Sequence, residues 1–321
     1  MISKLDEFET LMGWDNQYMP KEYSDSDIFH YTSPSGFESI LTKDKRNAIL
    51  WASRYDCLND ISEGTIAQKM FKQVCDEMLD SEEITSEMHS LIYNVSAAKT
   101  VLIPINQKDK TVITRPVCDV YISSFSLDPD SLAMWSYYSK GNKYEGYNIG
   151  FCPSEIIDSL ESMFFNKEIK AEIFPVVYTE KEQKNYIRSL VSKLQEHYAE
   201  EYKDQIRCII SEQLCKWKLI FKSEYFQHEK EVRIIVYVGK RTKDGVPEPS
   251  PIEIKYRSNY GFLVPYIELK IEKTGITFAT MGPLHCDEAQ KASQKSVLQD
   301  MLAVNDCCCA LAQISNIPVR F

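Results

Sequence analysis

The chain is short of the features that usually announce a chemistry. Its ten cysteines include no C-x-x-C spacing, which removes zinc ribbons and thioredoxin-like redox pairs. There is no G-x-G-x-x-G, no P-loop and no G-x-S-x-G elbow, and His228-Glu229 begins like a zinc-protease helix without its second His. Histidine is scarce, with five in 321 residues, and His89, His197 and His285 stand isolated. Basic runs do not exceed pairs such as Lys45-Arg46 and Lys240-Arg241, and 37 Lys and Arg against 47 Asp and Glu leave a net charge of −10. Nonspecific affinity for a phosphate backbone is therefore not expected. No apolar run approaches the roughly 20 residues of a membrane span, and "MISKLDEFETLMGW" puts acids where a secretion signal needs an apolar stretch. These absences predict a cytoplasmic protein with no membrane partner and with reduced, mostly buried cysteines. Cys307, Cys308 and Cys309 fall in a predicted C-terminal helix, where side chains about 100° apart cannot share one metal.

No linker rich in Pro, Gly or Ser divides the chain and no repeat recurs, so one domain over 1–321 is expected. Within it, 1–26 reads as an N-terminal extension. With 44% hydrophobic residues the chain can bury a large core, and its mixed periodicities read as α+β. Strands are predicted at Ile28 to Thr32, Ala48 to Ser53, Asp119 to Ser126, Gly146 to Phe151 and Ala171 to Thr179, with four more between Glu231 and Pro283. Capping boxes at Ser35-x-x-Glu38 and Asp60-x-x-Glu63, and caps at Asp130 and Ser154, predict helix starts. Residues 181–222, free of Pro and Gly, read as one long helical insertion packed on the body.

Chemistry concentrates in three places. In "HYTSPSGFESIL" His30, Tyr31 and Thr32 lie side by side at a strand end ahead of a helix. In "FQHEKEVRIIVYVG" period two puts Glu229, Glu231 and Arg233 on one face and Val232, Ile234 and Val236 on the other. Acids at the head of an otherwise buried strand are costly unless paired or used. An ion pair at a solvated sheet edge and a functional site both fit that pattern. The third place is "SFSLDPDSLAMWSYYSKG", where Ser124, Ser126, Ser131, Trp135, Tyr137 and Tyr138 surround a strand-to-helix turn.

The blocks "HYTSPSGFESIL", "LWASRYDCLNDISEG", "SFSLDPDSLAMWSYY", "GYNIGF", "FKSEYFQHEKEVRII", "LVPYIEL" and "ITFATMGP" follow an order that resembles the bacterial family called domain of unknown function 2971. That resemblance runs from about Ile28 onward and assigns no activity. The order of an early His, a following hydroxyl or aromatic residue and a late E-x-E also looks like the ADP-ribosyltransferase superfamily. This likeness implies a split, mixed or mostly antiparallel sheet that cradles NAD as a substrate, with no metal.

On it, His30 would hold the ribose, Tyr31 or Tyr55 would stack near nicotinamide, and Ser53 would support the late acid. Glu231 would stabilise the oxocarbenium-like charge and Glu229 would orient or deprotonate the acceptor, a protein or nucleic acid. Thr32, Asn59, Asp60, Ser126, Trp135 and Arg233 complete the expected NAD site. The sequence departs from the superfamily in lacking H-G-[ST], and Arg233 stands close enough to neutralise the acid. Two other readings stand beside this one. A metal-dependent nuclease or phosphohydrolase would gather Mg²⁺ on Asp60, Glu63, Glu229 and Glu231. A non-enzymatic sensor or interaction module, in a phage-defence setting, would use 181–222 as its partner surface.

Overall fold

The computed structural model describes residues 4–13, 18–57, 63–97, 101–102, 105–106, 113–114, 117–138, 144–165, 167–240, 242–243, 246–259, 261–283 and 287–318. In chain order the regular elements are α1 Lys4–Met12, β1 Ile28–Thr32, α2 Pro34–Thr42, β2 Asn47–Arg54, α3 Glu63–Asp80, α4 Ser86–Ile92 and β3 Val101–Leu102. Then come β4 Ile105–Asn106, β5 Ile113–Thr114, β6 Val117–Ser126, α5 Leu132–Tyr138, β7 Tyr147–Phe151, α6 Pro153–Phe164 and β8 Ile169–Pro175. The rest are α7 Glu180–Glu196, α8 Lys203–Ile220, β9 Glu231–Lys240, β10 Thr242–Lys243, β11 Val246–Pro247, β12 Lys255–Asn259, β13 Phe262–Glu272, β14 Ile276–Met281, α9 Glu288–Val304 and β15 Leu311–Ile314.

Eleven of the strands form one sheet, ordered β12-β13-β2-β6-β1-β7-β14-β15, with β9 and β3 on β6 and β8 on β9. Its ladders are antiparallel except β14 with β15. The α+β architecture is the one the mixed periodicities predict, and its sheet is mostly antiparallel. The centre is β6, ten residues paired along their whole length with β9. On its other edge β3, β2 and β1 attach at successive heights, β2 through Ile122 and Tyr121 and β1 through Ser126 alone.

Two layers of apolar side chains sandwich the sheet. On one face α3, α4, α7 and α8 bury Phe71, Leu190, Ile210 and Trp217 against Ile122, Ile235 and Tyr237. On the other α2, α6 and α9 bury Phe37, Leu160 and Leu302 against Phe125, Ile234 and Ile267. β9 is buried on both faces from Glu231 to Gly239, so its carboxylate lies inside the sheet rather than at a solvated edge.

Several local expectations change. Residues 181–222 form two helices, α7 and α8, broken near His197, whose Nδ1 lies 3.1 Å from the Lys193 carbonyl. They supply much of one core layer. The chain before β1 is likewise built in: Phe8, Met12 and Tyr18 are buried, and Trp217 Nε1 donates to the Tyr18 carbonyl at 2.8 Å.

The first capping box shifts. α2 is capped by Ser33, which accepts from Gly36 N at 3.2 Å, because Pro34 has no N–H to leave unpaired at the first helical position. α6 starts after Cys152 rather than at Ser154, again with a proline, Pro153, in its first turn. Asp130 does not cap α5; its carboxylate accepts from Trp135 Nε1 at 2.8 Å, Ser315 Oγ at 2.6 Å and Asn316 N at 2.9 Å. Cys307 to Cys309 follow α9 in a turn, with Cys307 buried and the other two exposed.

Candidate functional site

Glu231 opens β9 and is enclosed by polar partners. Its N–H donates to Tyr178 Oη at 2.8 Å and its carbonyl accepts from Val176 N at 2.9 Å. Arg233, two residues on and so on the same face, grips the carboxylate as a fork: Nε to Oε1 and Nη2 to Oε2, both 2.9 Å. Lys222 Nζ donates to Glu231 Oε2 at 3.1 Å and to Glu229 Oε2 at 2.6 Å. Arg233 also donates Nη1 to the Leu219 carbonyl at 2.6 Å. Local backbone makes this convergence possible. The chain leaves α8 extended at Phe221, delivering Lys222 beside β9, and Lys230 reverses it at φ 44° so that Glu229 and Glu231 reach one ammonium.

Burial alone would push the Glu231 carboxyl up. The charge and hydrogen bonds of Arg233, together with Lys222 and the Ser124 hydroxyl, outweigh it and bring it down to about 2. Glu231 is thus a permanent anion, unsuited to moving protons near neutrality. Two carboxylates and two cations balance within the network, which offsets the cost of taking them out of water.

A shallow hollow opens beside the network, with an enclosed volume of about 10 Å³. Phe29, Tyr31, Met134 and Tyr138 form its apolar wall, and Ser124, Phe125, Glu229 and Glu231 complete it. Behind the wall Trp135 meets Tyr31 edge-on with centroids 4.7 Å apart. Tyr138 is 45% exposed but its hydroxyl end is enclosed; burial first, then the charges of Glu231 and Glu229, push that hydroxyl up to about 12. An enclosed volume of that size is about that of one water, so a larger ligand would rest across the mouth of the hollow.

Of the residues expected from the sequence, Glu229, Glu231, Arg233 and Tyr31 come together here. Ser126 supports them, donating to the Glu229 carbonyl at 2.7 Å and accepting from Asp128 N at 3.0 Å.

His30 does not line the hollow. Alternation sends Phe29 and Tyr31 to the hollow's face and His30 to the other. There its ring lies 5.4 Å from that of Phe125 and Nδ1 sits 3.2 Å from the Ser124 carbonyl. That position is the stretch of β6 between its pairings with β2 and β1, so the imidazole plugs a gap in the sheet. Burial lowers its pKa, only partly countered by the Ser124 carbonyl. The neutral ring then donates from Nδ1. Thr32 packs on Gly36 at the start of α2.

Ser53 and Tyr55 are elsewhere too: Ser53 Oγ accepts from Arg257 at 2.9 Å, and Lys218 Nζ lies 5.0 Å over the Tyr55 ring. Asn59 and Asp60 lie outside the described residues, as does the capping box they belong to. Among the described residues no three His, Cys, Asp or Glu side chains stand where one ion could be held, and no helix is long and apolar enough to cross a membrane.

Sequence reasoning missed Lys222, Tyr178 and Phe29, and read Met134, Trp135 and Tyr138 at their helical spacing as core before a stacking platform. Lys222 had a faint signal, a cation closing the apolar run "LIF" just ahead of the acids.

Fold and site together define an α+β protein with an internal Glu–Lys–Glu–Arg network beside an aromatic hollow. Over residues 134–234 the chain matches the model of a family described as a protein of unknown function, DUF2971. That span runs from the hollow's Met134 through Lys222, Glu229, Glu231 and Arg233, and is narrower than the resemblance read from the sequence. No curated protein and no solved structure matches the chain.

Proposed function

We propose that the mouth of the hollow takes the nicotinamide-ribose end of NAD and that the protein cleaves its glycosidic bond, passing ADP-ribose to water or to a macromolecular acceptor. The observation that carries this reading is the pairing of ionised carboxylates with an aromatic wall at the mouth of the hollow. A pyridinium ring is cationic and planar, and the faces of Phe29 and Tyr31 attract such a ring. As the C1′–N bond breaks, its electron pair goes to the nicotinamide nitrogen and positive charge grows on the ribose. Glu231 is a fixed partner for that charge but is largely compensated by Arg233 and Lys222, so the more open Glu229 carries the greater share. Glu229 is held by Lys222 and has 17% of its side chain exposed; it receives the proton of the attacking hydroxyl. The adenosine half of NAD stays outside, over the rim near Tyr138.

Purified protein is incubated with NAD, with and without a cell lysate as acceptor source, and nicotinamide release is followed by chromatography. Glu229→Gln keeps the shape of the side chain, and its release should fall about 100-fold. A wild-type protein that releases no nicotinamide and is not stabilised against heat by NAD or nicotinamide removes the reading.

A further inference from the structure

The outer strands of the sheet carry an exposed aromatic and basic face. There α2 and α6 cover one face, that of Leu50, Ala52, Ile267 and Leu269. By register and alternation the opposite face presents Trp51 from β2, Phe262 and Tyr266 from β13, and Lys255 and Arg257 from β12. Trp51 is 38% and Phe262 75% exposed. Large aromatic faces left in water in this way mark contact surfaces when they cluster with unsatisfied polar groups.

Arg257 supplies the unsatisfied group. Its guanidinium lies 5.4 Å over the Trp51 ring and donates from Nη2 to Ser53 Oγ at 2.9 Å. Its Nε is buried with no acceptor, and among the described residues no carboxylate pairs with it. Nearby, Lys43 and Lys255 share Glu268, and Lys255 reaches Glu253 at 3.6 Å. Three cations therefore meet two carboxylates, and the uncompensated one sits against the tryptophan. Trp51 pairs with Glu268, six residues from Phe262 along β13, which spaces the two exposed rings by about 20 Å at the strand rise per residue.

We propose that this face binds single-stranded nucleic acid, with one base stacked on Phe262, another against the Arg257 guanidinium that lies over Trp51, and a phosphate oxygen accepting from Arg257. An acidic peptide would satisfy the guanidinium but would leave two separated stacking faces unused; a strand of nucleotides meets both needs in alternation. The net charge of −10 over the chain makes stacking the main contribution and confines phosphate contact to this strip. The proposal is independent of the NAD reading, since none of its residues lines the hollow.

The test uses the full chain and short fluorescein-labelled oligo-dT and oligo-rU, with anisotropy and quenching of tryptophan emission as readouts. Saturable binding is expected, weakened about tenfold by Trp51→Ala and by Arg257→Ala, as for loss of one stacked base or its anchor. Phe262→Ala, which removes a ring that is mostly in water, should weaken binding several-fold without any loss of fold. Absence of saturable binding at low salt overturns the proposal. So does binding that all three variants retain, or displacement of the oligonucleotide by poly-glutamate as readily as by unlabelled strand, which would assign the face to an acidic protein partner.

Discussion

Arg233 and Glu231 meet on β9 through two parallel hydrogen bonds of equal length, 2.9 Å each, with both side chains almost fully buried. Removing one half of such a fork leaves the other charge stranded inside the sheet. Glu231→Gln and Arg233→Met are each expected to cost about 3–5 kcal/mol of stability. The double variant should cost less than the sum, because neither charge is then left alone. Guanidinium unfolding of the four proteins at neutral pH measures the cycle.

The same fork sets the acid limb of the stability curve. The folded carboxyl of Glu231 is held at about 2 against an ordinary value of 4.5, so its contribution is present above 4.5 and is lost as pH falls toward 2. Integrated over that window it amounts to about 3 kcal/mol. Unfolding midpoints followed from neutral to strongly acid pH should drop most steeply there, and Glu231→Gln should remove that part of the slope.

His30 titrates on the other side of the argument. Burial places its folded pKa below 6.5, so the unfolded chain takes up the proton first, and stability declines as pH falls below that value. His30→Gln keeps a donor for the Ser124 carbonyl but cannot be protonated. It is expected to flatten stability between about pH 7 and pH 5, and to leave nicotinamide release unchanged once corrected for folded fraction. A loss of release matching that of Glu229→Gln would return His30 to the site.

Asp130 joins three parts of the chain: the indole of Trp135, the Ser315 hydroxyl and the Asn316 amide. Asp130→Ala leaves those donors unpaired and should cost about 2–4 kcal/mol. Because β15 hangs on the sheet through β14 alone, amide exchange at Leu311 to Ile314 should rise first, while β9 stays protected.

The strands were legible because period-two runs such as "EVRIIVYVG" and "YIELKI" state their own geometry. So was the shared face of Glu231 and Arg233, whereas Glu229 lies in a 3-10 turn before the strand and joins them through the left-handed Lys230. Helix starts were less legible wherever proline chose the first turn, as at Pro34 and Pro153. The break between α7 and α8 carries neither Gly nor Pro, and is set by packing of both helices onto one core layer. The placing of His30 failed for a reason of pairing. Which side of β1 faces the hollow depends on Phe29 lying opposite Ser126, and local sequence does not encode that register. Lys222 was hidden for a similar reason, since it reaches Glu231 only because α8 ends where it does.

Lys222 gives the most direct handle on the network. It touches both carboxylates, at 2.6 Å to Glu229 and 3.1 Å to Glu231, and packs 4.9 Å over the Phe226 ring. Lys222→Met keeps the length and the apolar contact while deleting the charge. Arg233 still holds Glu231, so the fold should survive with a loss of about 1–3 kcal/mol rather than collapse. The Glu231 carboxyl, now with one cation fewer, should titrate higher, shifting the acid limb of the stability curve toward neutral pH. An unfolding-versus-pH profile identical to that of the wild type would mean that Arg233 alone fixes the charge of Glu231 and that Lys222 serves Glu229 only.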